Sequence, residues 1–127
     1  MGNVQSIEKI NFEKVQENVS QNDVIIINTL DLNDQSCLIY NTLKGSEEES
    51  TLNNMIRNFK KKTRIIIYGK NYFDLSVYKK YTQLKSLGFI NICVYPGGMF
   101  EWLCLQEIYG NDLFKTTSIE QDILKYK

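Results

Sequence analysis

The sequence predicts one small α/β domain: a parallel sheet covered by helices on both faces. Three observations predict it. Residues 24–29, Arg64–Tyr68 and Ile92–Tyr95 are apolar runs rich in β-branched residues, the pattern of strands buried on both sides. Segments with apolar residues at helical spacing lie between them, and strands alternating with helices imply a parallel sheet. The length, 127 residues, suits one domain with a core that needs no disulfide or metal.

Each element has its own warrant. Residues 7–10 read as a short edge strand. Asn11 is placed to cap a helix, with Glu13 in the first turn, and Phe12, Val15, Gln16 and Val19 mark the apolar face. The strand at 24–29 is followed by a polar loop, 30–35, and a second short strand, 36–40. Residues 44–50 read as a loop leading into a helix with Leu52, Met55, Ile56 and Phe59 on one face. After Arg64–Tyr68 comes a loop, 70–75. Val77, Tyr78, Tyr81 and Leu84 then define a third helix, which Gly88 stops as the left-handed residue past its end. Ile92–Tyr95 is the third strong strand. Pro96-Gly97-Gly98 turns the chain into a helix with Phe100, Leu103, Cys104 and Ile108, ending at Gly110. Ser118 and Gln121 form a capping box for a short final helix holding Ile123 and Leu124. The methionines and aromatics read as core. With no repeat and no linker, the chain divides into an N-terminal segment, 1–9, and one domain, 10–127.

Composition narrows the function. Fifteen basic residues balance fifteen acidic ones, which argues against bulk attraction to nucleic acid; no nucleic-acid partner is expected. The chain has no histidine. That removes the commonest general base, the imidazole triads and most zinc sites, so no metal and no cofactor is expected. Cys37, Cys93 and Cys104 are odd in number, far apart and form no C-x-x-C pair, as reduced thiols in a reducing compartment would. Residues 1–20 are polar and show no signal peptide, and the longest apolar run, 24–27, is far short of a membrane span. The expected setting is cytoplasmic. Asn18-Val19-Ser20 fits a glycosylation sequon that matters only in a secreted protein.

The opening Met1-Gly2-Asn3-Val4-Gln5-Ser6 matches the pattern for N-myristoylation at Gly2. One myristoyl chain gives only marginal membrane binding, and a second signal is normally needed. No cysteine near Gly2 offers palmitoylation. The basic run Arg57, Lys60, Lys61, Lys62 and Arg64 either faces an anionic membrane surface or simply suits the dipole at a helix C-terminus.

Ile65-Ile66-Ile67-Tyr68-Gly69, then a helix to Leu87-Gly88-Phe89, then Ile92-Cys93-Val94-Tyr95-Pro96-Gly97-Gly98-Met99-Phe100-Glu101-Trp102, resembles the C-terminal half of a rhodanese domain. The family pattern is an apolar strand, a catalytic cysteine, a loop, a helix ending in Gly-Phe, a strand, then Gly-Gly and a tryptophan. The N-terminal half matches less: where the family has a strand ending in Asp-x-Arg, this chain reads Ile27-Asn28-Thr29-Leu30. The resemblance spans most of residues 10–110 and is clear over 64–102.

The resemblance implies a rhodanese-like fold and a site in the loop after Tyr68. In the family, a cysteine there meets converging backbone N–H groups and a helix N-terminus, which lower its pKa and hold a persulfide or an oxyanion. Related phosphatases end the loop in an arginine. Here Gly69 takes the cysteine position, and Lys70, Asn71, Tyr72, Phe73 and Asp74 complete a loop with neither cysteine nor arginine. Asp74, near the next helix start, would cap that helix and repel an anion. Lys70 and the loop N–H groups could still bind a ligand; Tyr72 and Phe73 could plug the pocket or face a protein. The reading is a catalytically inactive, non-catalytic binding module with an unknown protein partner, lipid-tethered through Gly2. The alternative is a sulfurtransferase or phosphatase-like enzyme with Cys37 as a displaced nucleophile.

Overall fold

A computed structural model describes residues 6–127. Gly2, with its acylation signal, lies outside the described residues. Three parallel strands, β1 (Val24–Asn28), β2 (Arg64–Tyr68) and β3 (Ile92–Tyr95), pair in the order β1-β2-β3. The helices are α1 (Phe12–Asn18), α2 (Gly45–Arg57), α3 (Ser76–Ser86) and α4 (Gly98–Tyr109). The small parallel sheet with helices on both faces is as expected.

Strand alternation sorts the core into two layers. Ile65 and Ile67 of β2 point one way, onto Leu52 and Met55 of α2 and Val77 and Leu84 of α3. Ile66 and Tyr68 point the other way, onto Val15 of α1 and Met99, Trp102 and Leu103 of α4. Each of these side chains is removed from water, worth about 1.5–3 kcal/mol for a Leu, Ile or Val. Trp102 also donates its indole N–H to the Lys115 carbonyl at 3.1 Å.

Caps and edges largely follow the sequence. Asn11 caps α1, its side chain accepting the Lys14 N–H. Gly88 has a left-handed φ of 99° just past α3. Residues 7–10, expected as a short edge strand, form only an isolated bridge from Lys9 to Val94 beside β3, with Val94 N–H donating to the Glu8 carbonyl and Ile10 N–H to the Val94 carbonyl, both at 2.9 Å.

Four further readings need correction. Residues 36–40 form no strand; isolated bridges from Ile39 to Thr116 and from Thr42 to Ile26 stand there. The stretch 44–50 is mostly helix, because α2 begins at Gly45, where Glu47 and Glu48 suit the positive end of the dipole. Its first turns carry no buried apolar residue, so periodicity could not reveal them. Phe59 lies past the end of α2, at a φ of 59°, and is exposed, as are Tyr72 and Phe73, so these aromatics are not core. The last element is a 3-10 turn, Ile123–Tyr126, that buries Tyr126 and leaves Leu124 exposed. Ser118 does not cap it; its hydroxyl donates to the Ser36 carbonyl at 2.8 Å.

Candidate functional site

Parallel sheets place their sites at the carboxyl ends of the strands, where loops diverge. Here a cavity of about 400 Å³ opens between the loops after β1 and β2. Thr29, Asp31 and Asp34 line it from one side, and Lys70, Phe73, Asp74 and Ser76 from the other. Tyr68 anchors the loop from beneath. Its buried hydroxyl accepts the Ile39 N–H at 3.1 Å and lies 2.8 Å from the Thr42 hydroxyl. Burial drives its phenol pKa far upward despite these bonds.

The centre of the loop is occupied by a side chain of the protein itself. Asp74 Oδ2 accepts the Lys70 N–H at 2.8 Å, and Oδ1 accepts the Ser76 N–H at 3.0 Å. Ser76 Oγ lies 2.6 Å from Asp74 Oδ1 and 2.7 Å from Thr29 Oγ1. With the one Ser76 proton given to the carboxylate, Thr29 is left to donate to Ser76. Burial opposes ionisation of Asp74. The Ser76 hydroxyl, the Lys70 and Ser76 N–H groups and the Lys70 charge outweigh it and hold the carboxyl below its ordinary value.

Asp74 also lies where a side chain on residue 69 would go. A Cβ on Gly69 would stand 2.5 Å from Asp74 Oδ2 and 2.8 Å from Thr29 Oγ1, closer than such contacts allow. Other groups of the loop pair within the fold as well. Phe73 N–H goes to Asn71 Oδ1 at 2.9 Å, while Asn71 Nδ2 donates to the Tyr126 carbonyl. The first N–H groups of α4, on Met99 and Phe100, go to the Gly69 and Lys70 carbonyls at 2.9 Å. Gly98 makes that approach possible: at a φ of 67°, its Cβ would meet the Gly69 oxygen at 2.7 Å.

Tyr72 and Phe73 do not plug the cavity. They project outward, 68% and 84% exposed, with their rings edge to face. Phe73 borders the acidic cavity, and Tyr72 borders a second, more apolar one of about 580 Å³ with Ile10, Phe12, Phe100 and Cys104. Asp31, Asp34, Thr29 and Ser76 escaped the sequence reading. The signal was available, since residues after β1 must share a mouth with residues after β2.

The thiols lie elsewhere. Cys37 is 1% exposed, and its sulfur is 3.4 Å from the Ser118 carbonyl it donates to. Cys93 is buried in β3, and burial pushes its thiol up to about 11. Cys104 is half-buried on α4, raised by burial and by the Glu101 charge. None of the three lines the acidic cavity.

No family model matches the chain, and no curated protein sequence matches it. Solved structures do. The chain is similar to the Alr3790 protein from Anabaena sp., with a TM-score of 0.62 and 16% identity over 92% of this chain and 98% of that one. It is similar also to the single-domain sulfurtransferase RDL2 of Saccharomyces cerevisiae, with a TM-score of 0.60 and 14% identity over 85% of this chain and 98% of that one. The fold is rhodanese-like. Within it, Gly69 stands at the end of β2, and the rhodanese-like loop closes around Asp74. Among the described residues, no helix is long and apolar enough to cross a membrane.

Proposed function

We propose that this chain is a non-catalytic rhodanese-like module that acts by binding a protein partner and is tethered to a membrane through a myristoyl group on Gly2. The observation that carries the first part is the Asp74 carboxylate. It takes the loop donors that would otherwise meet an anion, and it fills the space beside Gly69 that a nucleophile would need. A carboxylate in that position repels thiosulfate, persulfide and phosphate alike. The cavity that remains is lined by three carboxylates, Asp31, Asp34 and Asp74, with Lys70 as its cation and Phe73 exposed at its rim. Such a mouth suits a protein segment better than a small anion. The tether rests on the myristoylation pattern Met1-Gly2-Asn3-Val4-Gln5-Ser6.

Catalysis by Cys37 has no geometric support, since its sulfur is buried against Ser118. The test is turnover of thiosulfate with cyanide as acceptor, and of an aryl phosphate, by the purified chain. The expected result is no turnover above solvent. Turnover abolished by Cys37→Ser, Cys93→Ser or Cys104→Ser would overturn the non-catalytic reading. Mass spectrometry after co-expression with an N-myristoyltransferase tests the acyl group: the expected adduct is absent in Gly2→Ala, and an unmodified wild-type chain ends the tether.

A further inference from the structure

At the opposite end of the sheet the strands begin, α2 and α3 finish, and the chain enters. Lys9 pairs with Val94 in parallel register, so from there back to residue 6 the chain runs toward the start of β3. At that end Glu8 forks onto Arg64, at 2.7 and 2.8 Å. The turn from α2 to β2 lies beside it, with Arg57, Phe59, Lys60, Lys61 and Lys62. Ile90 joins this face through its N–H to the Lys61 carbonyl at 3.2 Å. Phe59 is 93% exposed and held at a left-handed φ of 59°, a conformation costly for a bulky residue. Ile90 is exposed too. Among the described residues, none of these four cations lies within 4 Å of a carboxylate. Asp23, immediately before β1, is an exposed carboxylate at this same end with no cation partner among the described residues, against four such cations. A helix C-terminus accounts for a neighbouring cation. It does not account for two apolar side chains held in water among the cations.

We infer that this end is a docking face for an anionic lipid bilayer, with Phe59 and Ile90 entering the interface and the lysines meeting the headgroups. The inference rests on the acyl tether proposed above and supplies the second signal that such a tether needs. The charge is complementary to an anionic leaflet, and the position of the chain end agrees. Five residue steps lead from Gly2 to Ile7, at most about 17 Å of extended chain, so an acyl group on Gly2 inserts beside this face. Each cation near such a surface strengthens partition by about fivefold. Docked this way, the rhodanese-like loop and its acidic cavity face away from the membrane, where a partner can reach them.

The experiment is co-flotation of the full chain, acylated and as Gly2→Ala, with vesicles of phosphatidylcholine alone or with about 30% phosphatidylserine. The acylated chain is expected to prefer the anionic vesicles, with the preference falling as salt rises. Lys60→Gln/Lys61→Gln/Lys62→Gln lowers partition on the order of a hundredfold. Phe59→Gly lowers it several-fold without harming the fold, since glycine adopts that φ freely. The Gly2→Ala chain keeps the anionic preference at lower affinity. If the chain proves not to be acylated, the tether fails, and this last arm still reads the face alone. The face is overturned if the triple-lysine variant partitions like its parent in both backgrounds. It is overturned equally if that variant changes self-association in the ultracentrifuge and leaves partition untouched, which would assign the face to a second copy.

Discussion

The two ends of the sheet treat their polar groups in opposite ways. At the carboxyl end, the loop after β2 closes on itself: Asp74, Asn71 and the Gly69 and Lys70 carbonyls pair with donors from the loop, α3 and α4. At the amino end, Arg57, Lys60, Lys61 and Lys62 have no carboxylate partner among the described residues, and Phe59 and Ile90 stand in water. A net charge of zero hides this difference, because four cations without a carboxylate partner among the described residues lie at one end and three carboxylates line the cavity at the other. One end ties its carboxylate and carbonyls into the fold, and the other leaves cations and apolar side chains in water.

The largest expected effect is at the closed end. Gly98→Ala puts a Cβ 2.7 Å from the Gly69 oxygen and 3.0 Å from backbone atoms of Lys70 and Asn71, at a φ that alanine disfavours. Backbone cannot swing aside, so the loss is about 3–4 kcal/mol by urea denaturation. Gly88→Ala at the open end is the control. It shares the left-handed φ, but its Cβ meets the flexible Lys61 amine at 2.8 Å. Its loss is about 1–2 kcal/mol, the conformational part alone. Equal losses would show that the loop is no stiffer than the lysine turn.

Gly69→Cys comes next. Its φ is allowed, so the cost is steric: contact with Asp74 Oδ2 and Thr29 Oγ1 destabilises by about 2 kcal/mol. In an Asp74→Ala background the same change costs about half as much, and the double-mutant cycle reports the coupling. Additive effects would mean that Asp74 is not what excludes a side chain at position 69.

Asp74→Asn removes the ionised acceptor and lowers stability near neutral pH by about 1.5 kcal/mol. The sign follows from the lowered pKa in the folded state. Stabilisation is complete above the unfolded value, near 3.9, and fades as pH falls through the folded value. Wild type and Asp74→Asn therefore differ at pH 7, begin to converge as pH falls below about 4, and converge fully only below the folded value, read in thermal melts. A constant gap across that range would mean that the charge of Asp74 does not hold the loop.

How much of this was legible in the sequence depended on which force placed each residue. The strands and α3 were readable because continuous apolar runs and a 3.6-residue period report burial directly. Among the glycines of the rhodanese-like order, Gly88 and Gly98 answer a left-handed backbone demand, whereas Gly69 and Gly97 leave room for the Asp74, Thr29 and Glu101 side chains. Asp74 was readable as a capping carboxylate, but not as the group that fills the space beside Gly69, since that needs the loop closed in three dimensions. Thr29 and Ser76 meet across 47 residues of sequence, and no local pattern encodes such a contact. Phe59 misled for the converse reason. It falls at i+7 from Leu52, in register with the buried face, yet α2 stops at Arg57 and the chain turns left-handed before the pattern completes.

That residue supplies the smallest and most diagnostic prediction. Phe59→Gly removes a side chain that is almost fully exposed, so little apolar burial is lost, and it relieves a left-handed φ of 59°. The relief, about 1–2 kcal/mol, exceeds the entropy that glycine adds to the unfolded chain, about 0.5–1 kcal/mol. The variant should gain about 0.5 kcal/mol, read as a higher urea midpoint at unchanged slope. A gain would mean that the open end holds its aromatic against the interest of the fold, as a residue selected for contact outside the chain would be held. A loss of 1 kcal/mol or more would tie Phe59 to the core after all and remove the contrast between the two ends.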